Sequence, residues 1–197
     1  MIGISGGIGA GKTLVASIFS ILQVPIYNAD IRAKEIMETN ESIKVEIKDI
    51  LGPSSYMAKG HLNRTFVAEK IFNDRFLLAK VNGVVHPHVA ADYKRWHTKQ
   101  ASPYALEEAA LLYESGAYLH LDAVIHVEAD QTIRIERVMQ RDGIQSDQVI
   151  ERMENQWPDE RRKMMADFII YNDGKRALIP QVMLLHKRII GMSQTSI

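Results

Sequence analysis

MIGISGGIGAGKTLVASIF, residues 1–19, holds four glycines between Gly6 and Gly11 and a lysine immediately after them. Elsewhere in the first fifty residues glycine is nearly absent, so the cluster answers a local need for close approach to the backbone. Residues 2–5 form a short apolar run. From Lys12 onward Leu14, Val15, Ile18, Phe19 and Leu22 recur at helical spacing, so the stretch reads as strand, loop, helix. Gly6, Gly11, Lys12 and Thr13 satisfy GxxxxGK[ST] in that setting, the phosphate-binding loop. Glycines let successive amides from Gly7 through Ile8, Gly9, Ala10, Gly11, Lys12, Thr13 and Leu14 turn toward phosphate oxygens at a helix N-terminus. Lys12 adds a mobile charge for the β and γ phosphates, and the Thr13 hydroxyl is the candidate Mg²⁺ ligand. The competing reading is a tight turn with an incidental lysine.

Working outward, VPIYN at 24–28 reads as a second buried strand, and Asp30 opens a helical segment to about Met37. From about Asn40 to Gln100 helical patterns follow one another: SIKVEIKDIL, NRTFVAEKIF and the long stretch Arg75–Lys99. There Leu77, Val81, Val84, Val85 and Val89 share a face and Pro87 is expected to break or kink the helix. Strand character returns at 103–109 and 122–129, a helix follows over about 131–141, and a charged stretch leads to a last strand at 167–172 and a closing helix from about Lys175. Strands alternating with helices predict an α/β fold with a mostly parallel sheet between helical layers. Ligands in such folds bind at the carboxyl ends of the strands.

The chain has 197 residues, 46% apolar and 24% charged, with 24 basic residues against 24 acidic ones. That balance gives no basic field for nucleic acid or an anionic membrane. With no cysteine, thiolate metal sites and a cysteine nucleophile are excluded, and a reducing compartment is compatible. Neither a signal-peptide pattern nor a spanning apolar run is present, so the cytoplasm is the default expectation. A switch GTPase would carry [NT]KxD after a later strand and DxxG after a strand; neither is found, which leaves a small-molecule kinase leading.

At this point the residues resemble the dephospho-CoA kinase family. GISGGIGAGKT is similar to its N-terminal signature and VPIYNAD to its VPVIDAD. NRTFVAEKIFND and VNGVVHP resemble the stretch leading to its His-Pro pair, and EEAALLYESG its PLLFE segment. RIERVMQRDGI, NQWP and ADFIIYNDG resemble its lid and final strand. The resemblance implies a three-layer P-loop kinase fold with a helical substrate-binding insertion and a lid, and ATP-dependent, Mg²⁺-assisted phosphorylation of the ribose 3′-hydroxyl of dephospho-coenzyme A. It divides one kinase unit over 1–197 into a core of about 1–39, 101–140 and 165–197, a substrate-binding region of about 40–100 and a lid of about 141–164. Another P-loop kinase for a nucleoside, nucleotide or shikimate-like alcohol, or an ATP-binding module that has lost its chemistry, are the alternatives. No oligomeric state is implied.

Within the resemblance Asp30 matches a strand-end aspartate that orients the hydroxyl, accepts its proton or holds Mg²⁺ through water; equally it can cap the helix at Ile31. Asn28 replaces the family's first aspartate. Glu108 stands at the family's next acidic position, able to hold a magnesium-bound water, and Ala110 replaces a proline. Arg134, Arg137 and Arg141 are spaced i, i+3, i+7 on one helix face. Arg137 and Arg141 match basic family positions and are the candidates for contacting phosphate, whereas Arg134 sits where the family more often has glutamine. Arg162 matches a basic lid position within an exposed-looking charge run. Asn172 opens a loop like the family's adenine-side loop, or an ordinary Asn-Asp-Gly turn. His86 matches the His-Pro pair, in a binding or packing role, and Ala90 replaces a basic residue after it.

Overall fold

The computed structural model describes residues 1–72 and 74–194; Asn73, in the NRTFVAEKIFND stretch, and 195–197, at the end of the expected core, lie outside the described residues. The chain divides into two units, residues 1–28 with 99–197, and residues 29–98.

The first unit carries the sheet. Strands β1 (Ile2–Gly6), β2 (Ile26–Asn28), β3 (Leu106–Glu108), β4 (Ala123–Glu128) and β5 (Phe168–Tyr171) lie in the order β2-β3-β1-β4-β5, and each pairing is parallel. Because β1 is central, its loop opens where connections diverge to opposite sides of the sheet, the position at which such sheets bind ligands. Ile2, Ile4, Leu106, Ile125, Val127, Phe168 and Ile170 face helices α1 (Lys12–Ile21) and α9 (Leu178–Gln194), meeting Val15, Phe19, Val182 and Leu185 in the main core. Leu14, expected on the buried stripe of α1, is exposed; the stripe is Val15, Ala16 and Phe19. On the opposite face Gly3 lies close against Leu112 and Leu121. There α8 (Asp159–Met164) packs on β1 and β4, which completes three layers. Helices α6 (Gln131–Asp142) and α7 (Ser146–Glu154) precede α8. The closing helix starts three residues later than Lys175 because the Asp173 carboxylate accepts from the Lys175 and Arg176 amides and holds a turn there.

The second unit is helical: α2 (Ala29–Thr39), α3 (Glu41–Leu51), a 3₁₀ turn at Pro53–Ser55, α4 (Arg64–Phe72) and α5 (Arg75–His97). It begins at Ala29, so α2 groups with the helical block and not with the core segment to which the sequence assigned it. Asn40 caps α3 and Asp74 caps α5, each side chain accepting two backbone N–H bonds. Val81, Val85, Val89 and Tyr93 form the buried stripe of α5, and Arg32 forks onto Asp92 at 2.9 and 3.0 Å to tie α2 to α5. Among the described residues, no helix is long and apolar enough to cross a membrane.

Pro87 does not break α5, contrary to the expectation from sequence. The carbonyl that it deprives of a donor is that of Gly83, four residues back, and both residues are exposed, so water can satisfy that oxygen. Pro87→Ala should therefore restore a helical hydrogen bond and stabilise the chain by about 1–3 kcal/mol in urea unfolding. A less stable variant would mean that the pyrrolidine ring is part of the packing.

Candidate active site

The loop after β1 is built on backbone that side chains resist. Gly9 has φ 79° and Gly11 φ 93°, both left-handed. Close approach is the second demand: a Cβ on Gly9 would overlap the Arg134 backbone carbonyl, one on Gly11 the Asn172 side chain, and one on Gly7 the Arg134 guanidinium. The loop is tied to itself by the Ala10 amide donating to the Gly7 carbonyl at 3.0 Å, and to α1 by the Val15 amide donating to Gly11 at 3.1 Å. Lys12 folds back, its Nζ donating to the carbonyls of Gly6 at 2.9 Å and Gly7 at 3.4 Å. That places a cation over the concave side of the loop. Leu14 offers the loop only its backbone, since its side chain points to solvent.

Asn172, just past β5, is buried and donates from Nδ2 to the Ala10 carbonyl at 2.8 Å, while its own amide donates to Glu128 at 2.7 Å. Arg137 bridges the same two segments, reaching the Gly9 carbonyl at 3.5 Å and the Asn172 carbonyl at 3.1 Å. Arg141, one turn further along α6, forks onto Asp142 at 2.7 and 3.1 Å and is 62% exposed, so it is held on the solvent side. Four residues along a helix is about 6 Å, which separates the two arginines that shared a stripe in the sequence.

Glu108 ends β3 beside β1 and joins two partners: Thr13 Oγ1 donates to its Oε1 at 2.5 Å and Asn28 Nδ2 to its Oε2 at 3.0 Å. The Asn28 departure thus supplies a donor where an aspartate would supply a second charge. Hydroxyl and carboxylate oxygens are hard donors of the kind Mg²⁺ prefers, and its usual sites add phosphate and water oxygens. Among the described residues no group of three or more His, Cys, Asp or Glu side chains could hold a metal ion. Asp30 is exposed in the first turn of α2, which begins at Ala29, so it lies inside the helix and not at an N-cap before Ile31. His86 is half-buried on α5, and burial lowers its pKa.

Further residues meet the loop or its surroundings, two of them the arginines that the sequence reading left outside the candidate site. Arg134 and Arg162 are buried and share Asp159, each donating one Nη2 bond to it. Gln156, after α7, accepts from the Ile8 amide at 2.8 Å and donates to the Ala110 carbonyl at 2.9 Å. Trp157 next to it stacks on Tyr113, with the Arg161 guanidinium 3.5 Å from its ring centroid. His126, buried on β4, contacts Glu128 at 2.9 Å, and desolvation lowers its pKa. The family-like NQWP segment was the available signal for Gln156; nothing in the spacing marked Asp159.

Glu107 points to the sheet face opposite Glu108 and burial pushes its carboxyl up to about 7. The unfolded chain ionises it near 4.5, so the folded state holds the extra proton between those values and loses stability as pH rises through them. Glu107→Gln should therefore be the more stable protein at pH 8, by up to about 3 kcal/mol, with the gap closing as pH falls toward 4.5. Equal urea midpoints across that range would rule this out.

Residues 1–177 match the family model for dephospho-CoA kinase. A dephospho-CoA kinase of Bacteroides fragilis is 35% identical over 185 residues, 93% of this chain and 90% of that one. A solved Thermus thermophilus protein superimposes with a TM-score of 0.82 at 27% identity, covering 97% of this chain and 96% of its own. A dephospho-CoA kinase from Campylobacter jejuni does so with a TM-score of 0.68 at 25% identity, over 100% of this chain and 98% of its own.

Proposed function

The chain belongs to the dephospho-CoA kinase family, and on that premise we propose that it moves the terminal phosphoryl group of ATP to the ribose 3′-hydroxyl of dephospho-coenzyme A, completing coenzyme A. The observation that carries this reading is the left-handed glycine loop with Lys12 folded over it and Thr13 joined to Glu108. In the transfer the bond from the γ-phosphorus to the β–γ bridging oxygen breaks, ADP leaves, and the hydroxyl oxygen bonds to phosphorus while losing its proton. Since that transition state is loose, positioning and charge neutralisation account for most of the rate.

Lys12 exchanges the Gly6 and Gly7 carbonyls for phosphate oxygens, trading neutral acceptors for charged ones. Asp30 accepts the hydroxyl proton or orients that hydroxyl, an assignment supported by its exposure and its place two residues beyond β2. Arg137 keeps the loop and Asn172 together on the nucleotide side, and Arg141 joins the phosphates only by leaving Asp142. His86 serves the coenzyme in the helical unit. Thr13 and Glu108 are the residues that would hold Mg²⁺, which, when bound, screens the charge of the phosphate oxygens. Balanced net charge and the absence of cysteine fit a cytoplasmic enzyme of small substrates, with neither nucleic acid nor membrane as a partner.

ADP release measured with dephospho-coenzyme A, adenosine, AMP and shikimate tests the assignment; turnover confined to another acceptor would replace it. Lys12→Ala should lower kcat by about 10²–10³ or more, as removal of a main charge-stabilising group does. Asp30→Asn should lose turnover while ATP still binds and the thermal midpoint holds. A variant that unfolds but keeps its specific activity per folded molecule would assign Asp30 to helix stability instead.

A further inference from the structure

The acceptor side and the glycine loop leave one group of charges unused. Arg134 on α6 and Arg162 on α8 have side chains 4% and 3% exposed, and both guanidinium groups border Gly7, the first loop residue past β1. They share a single carboxylate, Asp159, through one oxygen each. Arg134 Nε also donates to the Ala129 carbonyl at 3.1 Å, but Arg162 Nε and Nη1 are buried without a hydrogen-bond partner. Glu128, the next acid, is engaged by His126 at 2.9 Å and faces Lys163 at 3.7 Å. Burial favours the neutral form of His126, which adds no charge. A buried guanidinium with idle donors is unfavourable unless an acceptor completes it.

The three members of this cluster are not equally free to move. Asp159 is 41% exposed, at the first turn of α8, whereas the arginines are sealed in. The carboxylate can turn out to water; the arginines cannot follow it. We propose that Asp159 is an internal competitor for the terminal phosphate of the bound nucleotide: in the nucleotide-free protein it closes the Arg134–Arg162 pair, and a γ-phosphate takes its place there. The proposal rests on the nucleotide reading above and extends it to residues outside the loop. A phosphate fits the exchange because it presents more oxygens than a carboxylate, so the Arg162 donors that Asp159 leaves idle gain partners. ADP, lacking the terminal group, leaves Asp159 where it is.

The consequence is a discrimination between ATP and ADP, read by calorimetric titration of each nucleotide. Asp159→Asn, which removes the competing charge, should bind ATP about fivefold more tightly and ADP within about twofold of the unaltered protein. Arg134→Gln and Arg162→Gln should weaken ATP by about tenfold and leave ADP within about twofold. Arg134→Lys and Arg162→Lys, which keep the charge without the fork, should fall between and serve if the glutamine variants do not fold. If ATP and ADP affinities move together in these variants, or if Asp159→Asn weakens ATP, the cluster only pins α8 to α6 and the proposal is overturned. A drop in thermal midpoint with an unchanged ATP/ADP ratio overturns it equally. Failure of the kinase reading is separate: it would appear as no ADP release with any acceptor by a protein that still tells ATP from ADP.

Discussion

Everything at this site depends on close packing against three glycines. Gly7, Gly9 and Gly11 are the positions at which a single added carbon would strike Arg134 or Asn172, residues from two other segments of the chain. The loop's shape is therefore held from outside as well as by its own φ angles. Arg134 comes from the helix after β4 and Asn172 from the end of β5, so the loop acquires its supports only once β4 and β5 are paired beside β1 in parallel register. Sheet order, a property of the whole unit, thereby sets the geometry of six residues. A loop pre-formed in this way meets phosphate with little reorganisation, which is what electrostatic stabilisation of a transferring group requires.

The parts legible in the sequence were those with a local cause. The glycine spacing specified strand, loop and helix because each position has its own backbone requirement, and the five strands and most helices followed from period and punctuation. Misplaced features had non-local causes. From sequence Pro87 is expected to break or kink α5; the break does not occur, since Gly83 and Pro87 share an exposed face that the sequence does not reveal. The capping role offered for Asp30 beside its functional one fails because the helix starts at Ala29, one residue from the alternative and within the ordinary uncertainty of helix ends. Arg137 and Arg141 read alike on one stripe; what separates them is distance along α6, since Arg137 reaches the Gly9 carbonyl at 3.5 Å while Arg141 pairs with Asp142. Arg162 and Asp159 looked like solvated surface, since a charge run carries no sign of which members pack inward.

The two faces of β3 show how one strand serves opposite electrostatic ends. Glu108 faces α1, where a hydroxyl and an amide donate to its two oxygens and satisfy them although the side chain is nearly buried. Glu107, one residue back, faces the other layer, and there desolvation dominates and raises its pKa. Alternation along the strand is enough to separate the two behaviours.

Asn28 completes that arrangement. With Glu108 reaching Thr13 on one side, its second oxygen lies 3.0 Å from the Asn28 side-chain nitrogen. A carboxylate at position 28 would set two negative charges at hydrogen-bond distance, and one of them would have to take up a proton or turn away. The amide instead donates, holding Glu108 in the rotamer that meets Thr13. A single well-oriented carboxylate with a neighbouring hydroxyl is sufficient for a metal ion whose remaining ligands are phosphate and water. Asparagine and glutamate thus act as a pair, the amide donating to one carboxylate oxygen while the other accepts from Thr13.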